Sequence, residues 1–406
     1  MIILKVSCDN FYMFKEFEVD LTYNRQISHP LSASDRLFQN SKIKVRKNLI
    51  LLGANASGKT TFGKLLCLIL NYIRGNNINL EAAIYDKNKI ASFEIEFVID
   101  DIAYLLKANF KNSILQTEEL RRHKIRKTYD IATLREKIST SATISSYNSE
   151  VGEINVSSQS YAFGVSRNAE TKILREKISY WFRFSEDFNY STDYEKIVDV
   201  ELISEILPKV DNSIKNVKRM YADDRPTNSY LINFKNGETM TIPDGDLRHC
   251  VKRLSHGTFE TIDFVSMINI LRLEKSDVFY IDELLAHMHS ELETYLIRKA
   301  FVTKPYDSQI FFTTHNTQIL LLNAPMNAFM FFKRNAEGFN EVVYPSEKIN
   351  KNDRNLMGYY ENDYFGILPD YSSMDSLFEN WNDDEQNFVH SRRRNYEQSV
   401  KIKFIC

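Results

Sequence analysis

An α/β fold is predicted for this chain by three short apolar runs, each ending in polar chemistry. Leu49-Ile50-Leu51-Leu52 leads into GANASGKT at 53–60 and then into the helical pattern Phe62 to Leu70. Val278-Phe279-Tyr280-Ile281 delivers Asp282 and Glu283, and Gln309-Ile310-Phe311-Phe312 delivers Thr313, Thr314, His315 and Asn316. Continuous apolar runs of this length read as buried strands, and α/β proteins collect ligands at the C-terminal ends of such strands.

Taken in chain order, residues 28–47 are polar, contain Pro30 and end in Lys42, Lys44, Arg46 and Lys47; they predict a surface loop ahead of the first run. The segment 53–60 has the strand–loop–helix context of a phosphate loop. Backbone N–H groups along Gly53, Asn55, Ser57, Gly58 and Thr61 would converge on a phosphate. Lys59 adds a point charge at the β/γ-phosphates, and the Thr60 hydroxyl completes a magnesium shell, so ATP and Mg2+ are the expected ligands.

Residues 120–240 are rich in charged and aromatic side chains. Helical periodicity at Ile173 to Phe184 and Ile197 to Ile206, with turn signals at Asp223-Asp224-Arg225-Pro226 and Asn236-Gly237, predicts a largely helical lobe. Leu254-Ser255-His256-Gly257-Thr258 opens a helix carried by Phe259, Ile262, Phe264, Val265, Ile268 and Leu271. Ser255 and Gly257 there either offer a hydroxyl and free N–H groups to an anion or form an ordinary serine cap.

Behind a phosphate loop, Asp282 is placed to hold magnesium through its water shell and Glu283 to polarise the water that attacks the γ-phosphate. The pair could equally begin a helix as cap and dipole partner. His315 reads either as a packing residue or as a contact to the γ-phosphate.

Composition narrows the classes. With 406 residues the chain is long enough for two or three lobes, and 43% hydrophobic with 26% charged residues is ordinary for a globular protein. Net charge is −2, so any DNA contact has to come from a local patch such as Arg121 to Lys127 or Arg392 to Arg394. The cysteines at 8, 67, 250 and 406 have neither zinc nor disulfide spacing, and Cys67 reads as a small core residue. No stretch of about twenty apolar residues occurs, which predicts no membrane span and a cytoplasmic protein.

The order phosphate loop, LSxG, Asp-Glu strand and His strand resembles the ATP-binding cassette ATPases. It is similar in particular to their soluble branch of SMC-like, RecF-like and OLD-related ATPases, the last found in bacterial phage-defence and abortive-infection operons. Ile2 to Val6 with Asn10-Phe11 and Phe14 resembles the first strand and turn of that group, and Phe93 to Ile99, Tyr104 and Glu119-Leu120 its β-meander. Asn355-Leu356, Gly358 to Tyr360 and Tyr364 to Pro369 resemble a late motif.

The resemblance implies an ABC-type P-loop ATPase head: a first half at 1–119 with a β-rich lobe, a helical insertion lobe at 120–240, and a second α/β half at 241–369 followed by an extension at 370–406. It also implies Lys59 and Thr60 on phosphate and magnesium, Asp282 supporting the metal, Glu283 as general base, and His315 as γ-phosphate switch. Ser255 and Gly257 would touch the nucleotide held by a second copy, making a homodimer through ATP.

His289 matches the histidine of the relatives' Leu-His-Pro, while Met288 and Ser290 replace its neighbours. Gln116 is the candidate for the glutamine that joins the two lobes. The function expected on this basis is a sensor or clamp ATPase in antiviral defence that controls a separately encoded nuclease or toxin. The competing readings are a RecF-like DNA-repair clamp and an ATP-binding scaffold without turnover.

Overall fold

A computed structural model describes residues 1–25, 29–151, 174–184, 191–192, 199–245, 253–273, 277–322, 324–349 and 356–368. The chain divides into a unit Met1–Gly366 and a second unit Ile367–Cys406. Asn355, Pro369, the extension 370–406 and the Arg392 triplet lie outside the described residues.

The strands in chain order are β1 Ile2–Asp9, β2 Phe17–Asp20, β3 Thr22–Tyr23, β4 Lys44–Val45, β5 Asn48–Leu52, β6 Ala91–Ile99, β7 Ile102–Lys111, β8 Ile114–Lys124 and β9 Thr143–Asn148. They continue as β10 Tyr180–Arg183, β11 Ser191–Thr192, β12 Ile214–Ala222, β13 Arg225–Phe234, β14 Thr239–Ile242, β15 Val278–Asp282, β16 Gln309–Thr313, β17 Phe329–Arg334 and β18 Asn340–Val343.

The β-rich first half is an antiparallel sheet in the order β2-β1-β6-β7-β8-β9. Its β7–β8 turn places Asn112 and Ser113 both at positive φ, 52° and 60°, the twist that suits a tight hairpin. The turn after β1 is held by Asn10, whose amide donates to Asp86 O at 2.8 Å and accepts from Asp86 N at 2.8 Å. The helix Lys59–Arg74 lies against this sheet through Tyr72, whose ring meets Phe93 and Phe110 and whose hydroxyl donates to the buried Glu118.

The second layer is a seven-stranded sheet in the order β11-β10-β15-β16-β5-β17-β18, parallel from β10 to β17 with an antiparallel strand at each edge. Strands β5, β15 and β16 are buried at every position, as their uninterrupted apolar runs predict. Their parallel register sets Asp282 opposite Thr313 and Thr313 opposite Leu51, so three chain segments end side by side. Gln309 ties the two sheets together: its amide accepts from Ile3 N at 2.6 Å and donates to Ile3 O at 2.9 Å and Arg46 O at 3.1 Å.

A third sheet, β12-β13-β14, shares a core with the helices Val200–Val210 and His256–Arg272. The Asp223-Asp224 turn joins β12 to β13, and Gly237 at φ 90° sits in the next turn.

Three expectations are corrected here. The stretch 120–240 is not largely helical among the described residues. Its helices Ile131–Ser139 and Val200–Val210 are outweighed by β9 to β14, of which β14 alternates between exposed and buried positions as a strand with one solvated face does. Residues 180–183, within the helical pattern read at Ile173 to Phe184, form strand β10 because Tyr-Trp-Phe-Arg pairs in parallel with β15; tertiary pairing overrides local periodicity.

The segment 28–47 is not a surface loop throughout, since Arg46 and Lys47 are buried. Arg46 donates to Asp20 O, Thr22 O and Glu347 and lies over the Tyr344 ring at 4.3 Å. Lys47 donates to Arg36 O and Tyr306 O over the Tyr306 ring.

Lys47 has a buried neighbour, Lys304, which donates to Pro305 O and Ser308 O. Burial lowers Lys47 from the ordinary 10.5 to about 8 and Lys304 to about 7, the latter pushed further by Lys47. A lowered folded-state value means the unfolded chain holds more protons between about 7 and 10.5, so this group makes stability rise with pH across that window. Lys304→Met should therefore show a shallower rise in urea midpoint from pH 7 to 10.5 than the native chain, and equal slopes would refute the assignment.

Candidate functional site

The site begins where β5 ends. Gly58 stands at φ 104° ahead of the helix Lys59–Arg74, and no side chain caps that helix, so its first-turn N–H groups are left to a ligand. Asn340 reaches in from β18 to donate to Ser57 O, and the buried Ser57 hydroxyl has no partner among the described residues. Further along, Gly63 allows the helix to lie flush on β15. A Cβ there would meet the Tyr280 ring at 2.3 Å, and Tyr280 itself donates to Lys59 O at 2.5 Å.

Lys59 is buried and its ammonium donates to Gly53 O at 2.9 Å and Ala54 O at 3.4 Å, with His315 Nε2 at 3.4 Å. Burial lowers its pKa, against the raising influence of Glu283 and Asp282. Thr60 donates to Asp282 at 3.0 and 2.9 Å, and Asp282 also accepts from Thr313 at 2.7 Å. Burial pushes the Asp282 carboxyl upward, offset by those two hydroxyls. The two oxygen groups, Thr60 and Asp282, form the hard donor set that suits magnesium rather than a softer metal.

Glu283 holds an uncommon backbone, φ 51°, with its N–H on Thr313 O and Thr313 Oγ1. That turn carries its carboxylate to His315 Nε2 at 2.7 Å. The hydrogen bond from His315 is the largest influence on Glu283 and lowers its pKa. The structure thus brings Lys59, Thr60, Asp282, Glu283 and His315 together.

Ser255 and Gly257 stand elsewhere. Ser255 caps the helix His256–Arg272, accepting from Thr258 N at 3.1 Å, while Thr258 Oγ1 donates to Asp211 at 2.6 Å. Both residues line an open concavity of 550 Å³ with His287, Met288 and His289, and no described phosphate-loop residue lines it. Gly257 faces the His287 carbonyl, and a Cβ there would lie 3.2 Å from it. Asn55 and Thr61 lie in the loop and the helix's first turn, and the Gln116 amide donates to Ile114 O and accepts from the Ser149 hydroxyl just past β9.

Sequence reasoning missed Thr313, Tyr280 and Asn340, which hold the site's residues from behind. Thr313 had a signal in its place at a strand end opposite Asp282; Asn340 had none.

Fold and pocket together define a P-loop ATPase of mixed α/β architecture. The chain belongs to the family described as AAA domain, putative AbiEii toxin, Type IV TA system, whose profile matches residues 49–321.

Solved structures similar to it include an SMC head domain with an extended coiled coil bound to the C-terminal domain of ScpA, from Pyrococcus furiosus. That likeness has 12% identity over 89% of this chain and 99% of that one, with a TM-score of 0.45. A second is an SMC head with coiled coil and joint from Pyrococcus yayanosii, at 9% identity over 89% and 99%, TM-score 0.45. A third is the SMC head domain from Thermotoga maritima, at 12% over 85% and 99%, TM-score 0.38. Comparison with curated proteins gives no match.

Gly63→Val is expected to destabilise the chain by about 3 kcal/mol through overpacking, because Tyr280 is held by Phe62, Phe182 and Phe311 and has nowhere to move. Chemical denaturation measures this, and an unchanged midpoint would show that the helix can lift off β15.

Proposed function

We propose that the chain is an ATP-hydrolysing dimer in the bacterial cytoplasm, whose nucleotide state restrains or releases a separately encoded nuclease or toxin in antiviral defence. The observation that carries the ATPase part is the single cluster of Lys59, Thr60, Asp282, Glu283 and His315 at three adjoining strand ends. The phosphate loop and Lys59 hold the β/γ-phosphates, with Gly53, Asn55, Ser57, Gly58 and Thr61 supplying the backbone cradle. Thr60 and Asp282 would hold a magnesium ion, which supplies charge neutralisation on the phosphate oxygens.

Glu283 takes the proton of the attacking water as the β–γ phosphoanhydride opens, and His315 orients the Glu283 carboxylate and reads the γ-phosphate. The dimer reading is supported by Ser255 and Gly257 lining a concavity separate from the phosphate loop, open to the nucleotide of a second copy. The defence reading is supported by the family description, which names a putative AbiEii toxin and a Type IV TA system.

A DNA-clamp reading has less support: Arg121 is bonded to Glu119, Ser139 O and Ser141 O, and Lys124 to Asp101, so part of the basic run is engaged within the chain. No helix among the described residues is long and apolar enough to cross a membrane.

Glu283→Gln should cut phosphate release by roughly a hundredfold or more and accumulate an ATP-bound dimer, seen by light scattering after size exclusion. Lys59→Ala should remain monomeric under the same ATP. Native turnover in the Glu283 variant would remove that residue as the base.

A further inference from the structure

The buried carboxylate of Glu293 lies outside the ATP pocket, four residues into the helix Ser290–Thr303. It accepts from Thr314 Oγ1 at 2.6 Å on one oxygen and from Asn316 Nδ2 at 2.8 Å on the other. These are the residues on either side of His315. Thr314 Oγ1 in turn accepts from Asn316 N at 3.0 Å, and Asn316 Nδ2 also reaches Ser290 O at 3.4 Å.

We propose that Glu293 is the positioning residue of the His315 switch. It fixes the backbone on both sides of the histidine, so that the ring meets Glu283 at 2.7 Å and Lys59 at 3.4 Å. Side chains as exposed as His315, at 41%, lose such alignment when their backbone is free to turn.

The placement also gives the switch a second input. The helix Ser290–Thr303 starts directly after His289, its cap, and both His289 and Leu292 line the concavity beside Ser255. Glu293 is the next residue after Leu292, and its side chain is buried on Thr314 and Asn316. A shift of the helix start when that concavity is filled therefore moves the anchor of His315.

This inference rests on the reading above that His315 serves hydrolysis, and the test separates the two. In full-length protein, Glu293→Ala should lower kcat on the order of tenfold while leaving the Kd for ATP unchanged. Glu293→Gln keeps an acceptor for Asn316 and a donor for Thr314, and should retain at least about half the native kcat. Thr314→Val, which removes the hydroxyl's bonds to Glu293 and from Asn316 N and preserves shape, should lower kcat with the Kd for ATP unchanged and decides the matter if Glu293→Ala does not fold.

Native kcat in Glu293→Ala, or a Kd that weakens by the same factor as kcat falls, overturns the proposal. His315→Ala is the control. If it leaves turnover unchanged, the reading of the pocket fails. If it lowers turnover and Glu293→Ala does not, only the role given to Glu293 fails.

Discussion

A wholly buried carboxylate holds this pocket together. Asp282 has no solvent contact and accepts hydroxyls from Thr60 on the phosphate-loop helix and Thr313 on β16. Burying a charge in this way is costly unless its hydrogen bonds are complete, so the three segments must stay in register for the site to exist. The same register fixes the Glu283 N–H on Thr313 and hence the direction in which its carboxylate points. Chemistry and architecture share the same few bonds.

Around that centre the aromatic side chains do the packing. Tyr280 stacks on Phe182 at 5.7 Å and Phe311 at 5.8 Å, and Phe62 meets both Tyr280 and Phe311 from the helix. Large flat rings fill the space between helix and sheet with few rotamers to freeze, which keeps the phosphate loop at one height above β15. The helix His256–Arg272 is packed differently, buried along most of its length against the third sheet.

Much of this could be read from the chain itself, and the reasons for the exceptions are physical. The runs at 49–52, 278–281 and 309–312 became β5, β15 and β16 because a strand buried on both faces has to be apolar at every position. Glu283 and His315 were legible because strand ends are where polar residues interrupt such runs. Arg46 and Lys47 were misread as surface because charge is normally exposed; the carbonyls of Asp20, Thr22, Arg36 and Tyr306, the Glu347 carboxylate and the Tyr344 and Tyr306 rings make their burial tolerable. Strand β10 was hidden because its aromatic residues fit a helix as well as a buried strand between β11 and β15. Glu293 gave no signal, since a glutamate in a helix's first turn is ordinary dipole chemistry until its partners are seen.

The Gln309 amide has a mechanical corollary. One side chain spans Ile3 and Arg46 with three hydrogen bonds, so sliding the antiparallel sheet past the parallel layer would rupture the two to Ile3 together. Those two layers are thereby clamped to each other at a single buried amide.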